Sequence, residues 1–386
     1  MGLLAATLLL AAGCTRAAPV GTWRPLDASG ATPSASVLVG GASDGQRAFL
    51  WGGSGSCSAT AACGDGAVWE AGVPGRAIPS DGAPSPRYGH VQAWASDRLI
   101  VWGGTGCGTQ LAQPCGDGAS WDGSGARWVP LAAGGAPSPR GGAGAAWTDR
   151  GLLIWGGEDT ASRSVLGDGA RYLPAEDRWE PLPSAGAPSP RRLHATAWTG
   201  DKLLIWGGSG GVFPDVALGD GAALDPVAGT WTPLPSAGAP SPRWAAHVAW
   251  TGRWLLVWGG IGCGVERAGG PGLCGDGARY DPAAGTWSPM TSTGAPSARV
   301  GAAAAWNGRE LVVWGGAAAR CADGSTGACA DGAVYDPAAD RWRPLATAGA
   351  PGARAGAATV RLGAAVLLWG GTGRAEEPLR DGAVLE

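Results

Sequence analysis

Charge of either sign is in short supply in this 386-residue sequence, where 28 Lys+Arg stand against 31 Asp+Glu for a formal net charge of −3. So balanced a chain has no basic footprint for nucleic acid and no cationic face for anionic lipid. Lysine is almost missing: Lys202 is the only one, and we read the preference for arginine as a coding bias. Beyond the first residues no apolar run approaches the roughly 18 residues needed to cross a bilayer. No stretch keeps a helical spacing of apolar residues unbroken by Gly or Pro, so helices are not expected. No Ser-His-Asp order is present, and Gly207-Gly208-Ser209-Gly210-Gly211 opens no helix, which excludes a dinucleotide-binding turn.

What is abundant is Gly (71), Pro (30) and Trp (22), with 45% of residues hydrophobic. Gly and Pro at that level border on low complexity, but so much apolar surface rules out disorder. The N-terminal Leu3-Leu4-Ala5-Ala6-Thr7-Leu8-Leu9-Leu10-Ala11-Ala12-Gly13 reads as the core of an export signal. Cys14 directly after Ala12-Gly13 resembles a bacterial lipobox. Residues 1–14 are therefore expected to be a signal peptide with Cys14 lipidated, residues 15–21 a short tether, and 22–386 the folded domain. Ordinary cleavage near Ala17-Ala18 is the alternative. Either way the chain is expected in the bacterial cell envelope, held to a membrane by its lipid anchor alone.

The remainder repeats itself. Trp-Gly-Gly begins at Trp51, Trp102, Trp155, Trp206, Trp258, Trp314 and Trp369. Asp-Gly-Ala follows each, at Asp65, Asp117, Asp168, Asp220, Asp276, Asp331 and Asp381. Another Trp opens the next stretch at Trp23, Trp128, Trp179, Trp231, Trp287 and Trp342, and Ala-Pro-Ser-Pro-Arg or a variant leads into the following apolar segment. Each unit reads as four short strands. The first alternates, as in His194–Trp198, and the second is continuously apolar, as in Leu203–Trp206. One such sheet cannot bury both faces, so seven copies should stack in a ring, a seven-bladed all-β propeller with four antiparallel strands per blade. The segment at Trp23 is an orphan fourth strand and the chain stops after a third, so the N-terminal strand should complete the last blade.

A paired Gly after strand two, an aromatic before Asp-Pro, a Trp on strand four and Pro-Arg-x-x-His before strand one resemble the Kelch repeat, over roughly residues 22–386. The His occurs in two copies, His90 and His194. Some propellers with such repeats are enzymes. Galactose-oxidase-like copper chemistry is not expected, because the Tyr, His and Cys residues it needs are already assigned or missing, and no cofactor or metal is predicted. A sialic-acid mutarotase-like enzyme is the alternative reading, with Arg192, His194 and Glu158 as its acid–base and carboxylate-binding set.

Eight cysteines fall in four local pairs: Cys57 with Cys63, Cys107 with Cys115, Cys263 with Cys274, and Cys321 with Cys329. Units without one member lack both, which points to disulfides that pin a loop in an oxidising compartment. Zinc is the rival, but each loop offers only two thiolates and no neighbouring His.

Connections between strands two and three and between strands four and one are the long ones, and both emerge on the same rim. That rim is the expected binding face for a protein or carbohydrate ligand, with the chain otherwise a non-catalytic monomer. Arg87, Arg140, Arg191, Arg243, Arg299 and Arg354 repeat there, with Ser36 near the equivalent place in the first unit. They read either as a ring of guanidinium groups at the channel mouth or as partners of each Asp-Gly corner. The residue after each Arg varies, and Tyr88, Arg192 and Trp244 form an aromatic and cationic set suited to a sugar or peptide. The candidate contacts are thus Arg87, Tyr88, Arg140, Glu158, Arg191, Arg192, His194 and Trp244. Further loop acids are Asp159, Asp215, Glu266, Asp323, Glu376 and Glu377.

Overall fold

The computed structural model describes residues 18–27, 29–34, 37–55, 57, 61–108, 113–212, 214–265 and 271–386. Cys14 and the leader, Ser36 and Glu266 lie outside the described residues. Among those described there is no helix, and none long and apolar enough to cross a membrane. The fold is all-β, built of four-stranded antiparallel sheets, seven of them among the described residues.

Each sheet follows the sequence repeat. In the fourth unit, Ala195–Trp198, Leu203–Trp206, Gly221–Asp225 and Thr230–Pro233 pair in chain order. Leu203–Trp206 is buried throughout, as its unbroken apolar run requires. The Gly of each Asp-Gly-Ala has a packing reason. A Cβ at Gly66, Gly118, Gly169, Gly221, Gly277, Gly332 or Gly382 would stand 2.1–2.4 Å from a carbonyl oxygen of strand two. No other residue fits there.

The first strands touch in a cycle. Gly40–Ser43 contacts both Val91–Ala95 and Ala358–Leu362, and the contacts continue through Gly144–Thr148, Ala195–Trp198, His247–Trp250 and Ala303–Trp306. Seven apolar cores lie between neighbouring sheets, and a Trp pair marks each. The Trp-Gly-Gly ring of one unit meets the strand-four Trp of the next. The pairs are Trp51–Trp128, Trp102–Trp179, Trp155–Trp231, Trp206–Trp287, Trp258–Trp342 and Trp314–Trp23, with centroids 4.8–5.7 Å apart. The first unit has no strand-four Trp, and Trp69 on strand three takes its place against Trp369 at 5.5 Å.

Trp23–Pro25 pairs with Gly382–Leu385, so the orphan strand does complete the last sheet. The order from inside outward is Ala358–Leu362, Ala365–Trp369, Gly382–Leu385 and Trp23–Pro25. Val20, assigned to the tether, donates its N–H to the Pro344 carbonyl, accepts from Ala346 N–H, and packs on the apolar core around Trp23.

Candidate functional site

Four disulfides join the expected pairs, Cys57–Cys63, Cys107–Cys115, Cys263–Cys274 and Cys321–Cys329, with Cα–Cα distances of 5.1–5.5 Å. They brace the loops between strands two and three, and several disulfides are compatible with an exported protein. The two groupings of potential metal ligands among the described residues, Cys57–Cys63–Asp65 and Cys263–Cys274–Asp276, are built on these bonded sulfurs.

The repeated arginines resolve the choice left open above. Arg87, Arg140, Arg191, Arg243, Arg299 and Arg354 are buried, and each is tied to its Asp-Gly corner. Arg87 is typical. Its Nε donates to the Ser85 carbonyl at 2.8 Å, and Nη1 to the Gly103 and Asp117 carbonyls at 3.1 and 2.9 Å. Its Nη2 donates to Ser85 Oγ at 2.9 Å and to both Asp117 carboxylate oxygens at 3.0 and 3.1 Å. Every N–H of the guanidinium is directed at the protein. The candidate contacts Arg87, Arg140 and Arg191 are therefore corrected: they are structural posts, with no donor left for a ligand.

The backbone of the same arginine faces the preceding unit. Arg87 N–H donates to the Cys63 carbonyl, and Gly53 N–H donates to the Arg87 carbonyl. The residue thus joins two successive units, main chain to one and side chain to the next. Burial lowers the pKa of Arg87 and Arg243, and their partners Asp117 and Asp276 oppose that shift.

His194 also departs from the acid–base expectation. It is fully enclosed, its ring edge-on to Trp155 at 5.4 Å, and neither ring nitrogen has a hydrogen-bond partner. Burial, with the nearby Arg191 cation, pushes its pKa down to about 3, so it is neutral. His90 stands in the same place against Trp51 at 5.4 Å, with its pKa lowered by burial to about 4. Both are packing residues of the repeat. The mutarotase-like set is not assembled around His194, which corrects its place among the ligand contacts.

Of the remaining candidates, Arg192 and Glu158 meet directly. Arg192 donates from Nη1 to both Glu158 oxygens at 2.9 and 2.8 Å and from Nη2 to Asp215 at 2.9 Å. Glu158 comes from the ribbon Glu158–Asp159 with Ser164–Val165 in the third unit, and Asp215 from the loop of the fourth. Tyr88 is half-buried in the second unit, and burial and then the Glu158 charge raise its pKa. Trp244, in the fifth unit, is buried and bridges Ile261. Arg192, expected in the aromatic and cationic set, is shared by two carboxylates.

Two residues were not singled out from the sequence. The position two after each repeated Arg is left-handed in all seven units: Leu38, Gly89, Gly142, Leu193, Ala245, Gly301 and Gly356 have φ between 50° and 71°. Leu38 and Leu193 occupy it with exposed side chains, 56% and 40% accessible. The signal was there in the aligned copies, where Leu interrupts a column that is mostly Gly. Residues 75–260, from the fourth strand of the first sheet past the second strand of the fifth, match the family model described as the KLHDC2/KLHL20/DRC7 Kelch-repeats domain, and this match supports placing the repeats of the chain in the Kelch family.

Proposed function

We propose that the protein is a non-catalytic, seven-bladed propeller of the bacterial cell envelope, anchored through Cys14, that binds a protein or glycan ligand on its long-loop rim. A Kelch-repeat domain is in general a protein-interaction module, which favours a protein ligand. One observation carries the reading. The repeated side chains are consumed by the scaffold, the arginines in corners and the histidines under Trp rings, whereas the position after each Arg holds a different residue in each unit. Tyr88, Arg192 and Trp244 stand at that position, with Glu158 paired to Arg192, and this variety supports binding on the long-loop rim.

Capture from solubilised envelope, alongside a glycan array, tests this. Wild type should retain a ligand that the Tyr88→Ala/Arg192→Ala variant releases, while both melt at similar temperatures. Equal retention by the two would move binding off this rim. Radiolabelled palmitate should enter the wild-type chain and not Cys14→Ala; equal labelling would remove the anchor.

A further inference from the structure

We infer that the channel mouth is built to grip an aliphatic side chain next to a basic residue on an extended segment of a partner protein. The inference rests on the rim-binding reading above and specifies the chemistry of the ligand. It begins with Leu38 and Leu193. At φ of 53° and 52° an L residue is strained, and glycine is the relaxed choice, as Gly89, Gly142, Gly301 and Gly356 illustrate at the same position. Leucine there gains only partial burial, with 56% of Leu38 and 40% of Leu193 accessible and Leu193 lying beside Gly142 of the preceding unit. A strained side chain left this accessible brings the fold little, which points to a use outside it.

The geometry of the ring places the two leucines. Main-chain bonds link this position between units: Gly142 N–H to the Gly89 carbonyl, Ala245 N–H to the Leu193 carbonyl, and Gly356 N–H to the Gly301 carbonyl. Leu38 belongs to the first unit and Leu193 to the fourth, so they stand across the ring from one another. Gly89 and Gly142 lie between them on one side, and Ala245, Gly301 and Gly356 on the other. Two apolar posts thus rise from a floor of small residues.

Charge selects what sits beside the apolar anchor. Glu158 and Asp215 share the guanidinium of Arg192, the residue before Leu193. Two carboxylates against one cation leave one negative charge, mostly shielded from water, while Asp159 and Arg163 of the same ribbon offset each other. A Lys or Arg of the partner completes this arrangement, whereas an acidic segment is repelled.

The test uses the full chain and a phage-displayed library of random dodecapeptides. Panning on wild type should enrich peptides with an aliphatic residue next to Lys or Arg, with binding that weakens as salt rises. The Leu38→Gly/Leu193→Gly variant should weaken the enriched peptide by roughly tenfold to a hundredfold, the range for removing apolar anchors, while melting no lower than wild type. Glu158→Gln/Asp215→Asn should lower affinity and flatten the salt dependence. An acidic or featureless consensus, no enrichment at all, or unchanged affinity in the leucine variant overturns the inference. A drop in melting temperature on Leu→Gly would make the leucines structural and overturn it as well. If envelope capture still depends on Tyr88 and Arg192 in those cases, the rim reading survives without this ligand chemistry.

Discussion

Six junctions between successive units are built one way, and the seventh, between the last unit and the first, another. At each of the six, a buried Arg ties its own Asp-Gly corner to the loop of the preceding unit. A strand-four Trp reinforces every one of these joints, its indole N–H reaching a carbonyl of the preceding unit: Trp128 to Pro79, Trp179 to Ala132, Trp231 to Pro183, Trp287 to Pro235, Trp342 to Thr291 and Trp23 to Ala346. At the seventh, Asp65 accepts from Ser34 N–H and Oγ at 2.9 and 2.7 Å, a neutral partner. Trp69 replaces the strand-four Trp, and its indole nitrogen is buried with no partner. The seam is thus closed by apolar packing and a main-chain bond from Gly363 N–H to the Gly45 carbonyl. A charged post is useful where each unit must be set at a fixed angle to the last; the final contact only has to meet.

The difference can be broken at its strong side first. Arg191→Ala removes a buried cation and leaves the Gly207 and Asp220 carbonyls without their donor, and should cost about 3 kcal/mol in urea unfolding. Trp23→Ala should cost about as much, roughly 3–5 kcal/mol, because it empties the Trp314 contact and frees the strand that completes the last sheet. A loss below about 1 kcal/mol for Arg191→Ala would mean that the arginines do not hold the units together.

Acid probes the same joints from another direction. Burial holds His90, His194 and His247 neutral, with pKa values of about 4, 3 and 4. In the unfolded chain they protonate near pH 6.5, so the unfolded state binds more protons and stability falls as the pH drops below that value toward 4. Each should cost about 2 kcal/mol at pH 5. His90 and His194 pack against the preceding unit, so acid loosens arginine-joined contacts and leaves the seam alone. Melting temperature against pH should decline between pH 6.5 and 4, and less steeply in His194→Leu. The smallest effect is expected at the seam: Ser34→Ala should cost about 1 kcal/mol. Were it to match Arg191→Ala, the two kinds of junction would be equivalent.

Much of this was legible before any coordinates. The Trp-Gly-Gly and Asp-Gly-Ala columns marked the sheets, and the paired gain and loss of Cys57 with Cys63 or Cys321 with Cys329 marked the bridges, because each of these features is local to one unit. The fate of Arg87 was legible only as two alternatives, since its side chain is satisfied 30 residues away at Asp117. The contact of Arg192 with Glu158 spans 34 residues and two units, and no spacing rule reports it. Burial of His194 under Trp155 was hidden for the same reason: it depends on how a neighbouring sheet is seated. Leu38 and Leu193 stood in a column of glycines, but their significance depends on a backbone angle and on exposure, which composition does not carry.

Trp23 and the Ala346 carbonyl it engages lie 323 residues apart along the chain. During synthesis the earliest segment of the domain must therefore stay unmated until the latest one is made, so the clasp closes last and all at once. Loop-closure entropy makes such a step slow to form. Once made, it ties Trp23–Pro25 to Gly382–Leu385, so neither strand can fray without the other.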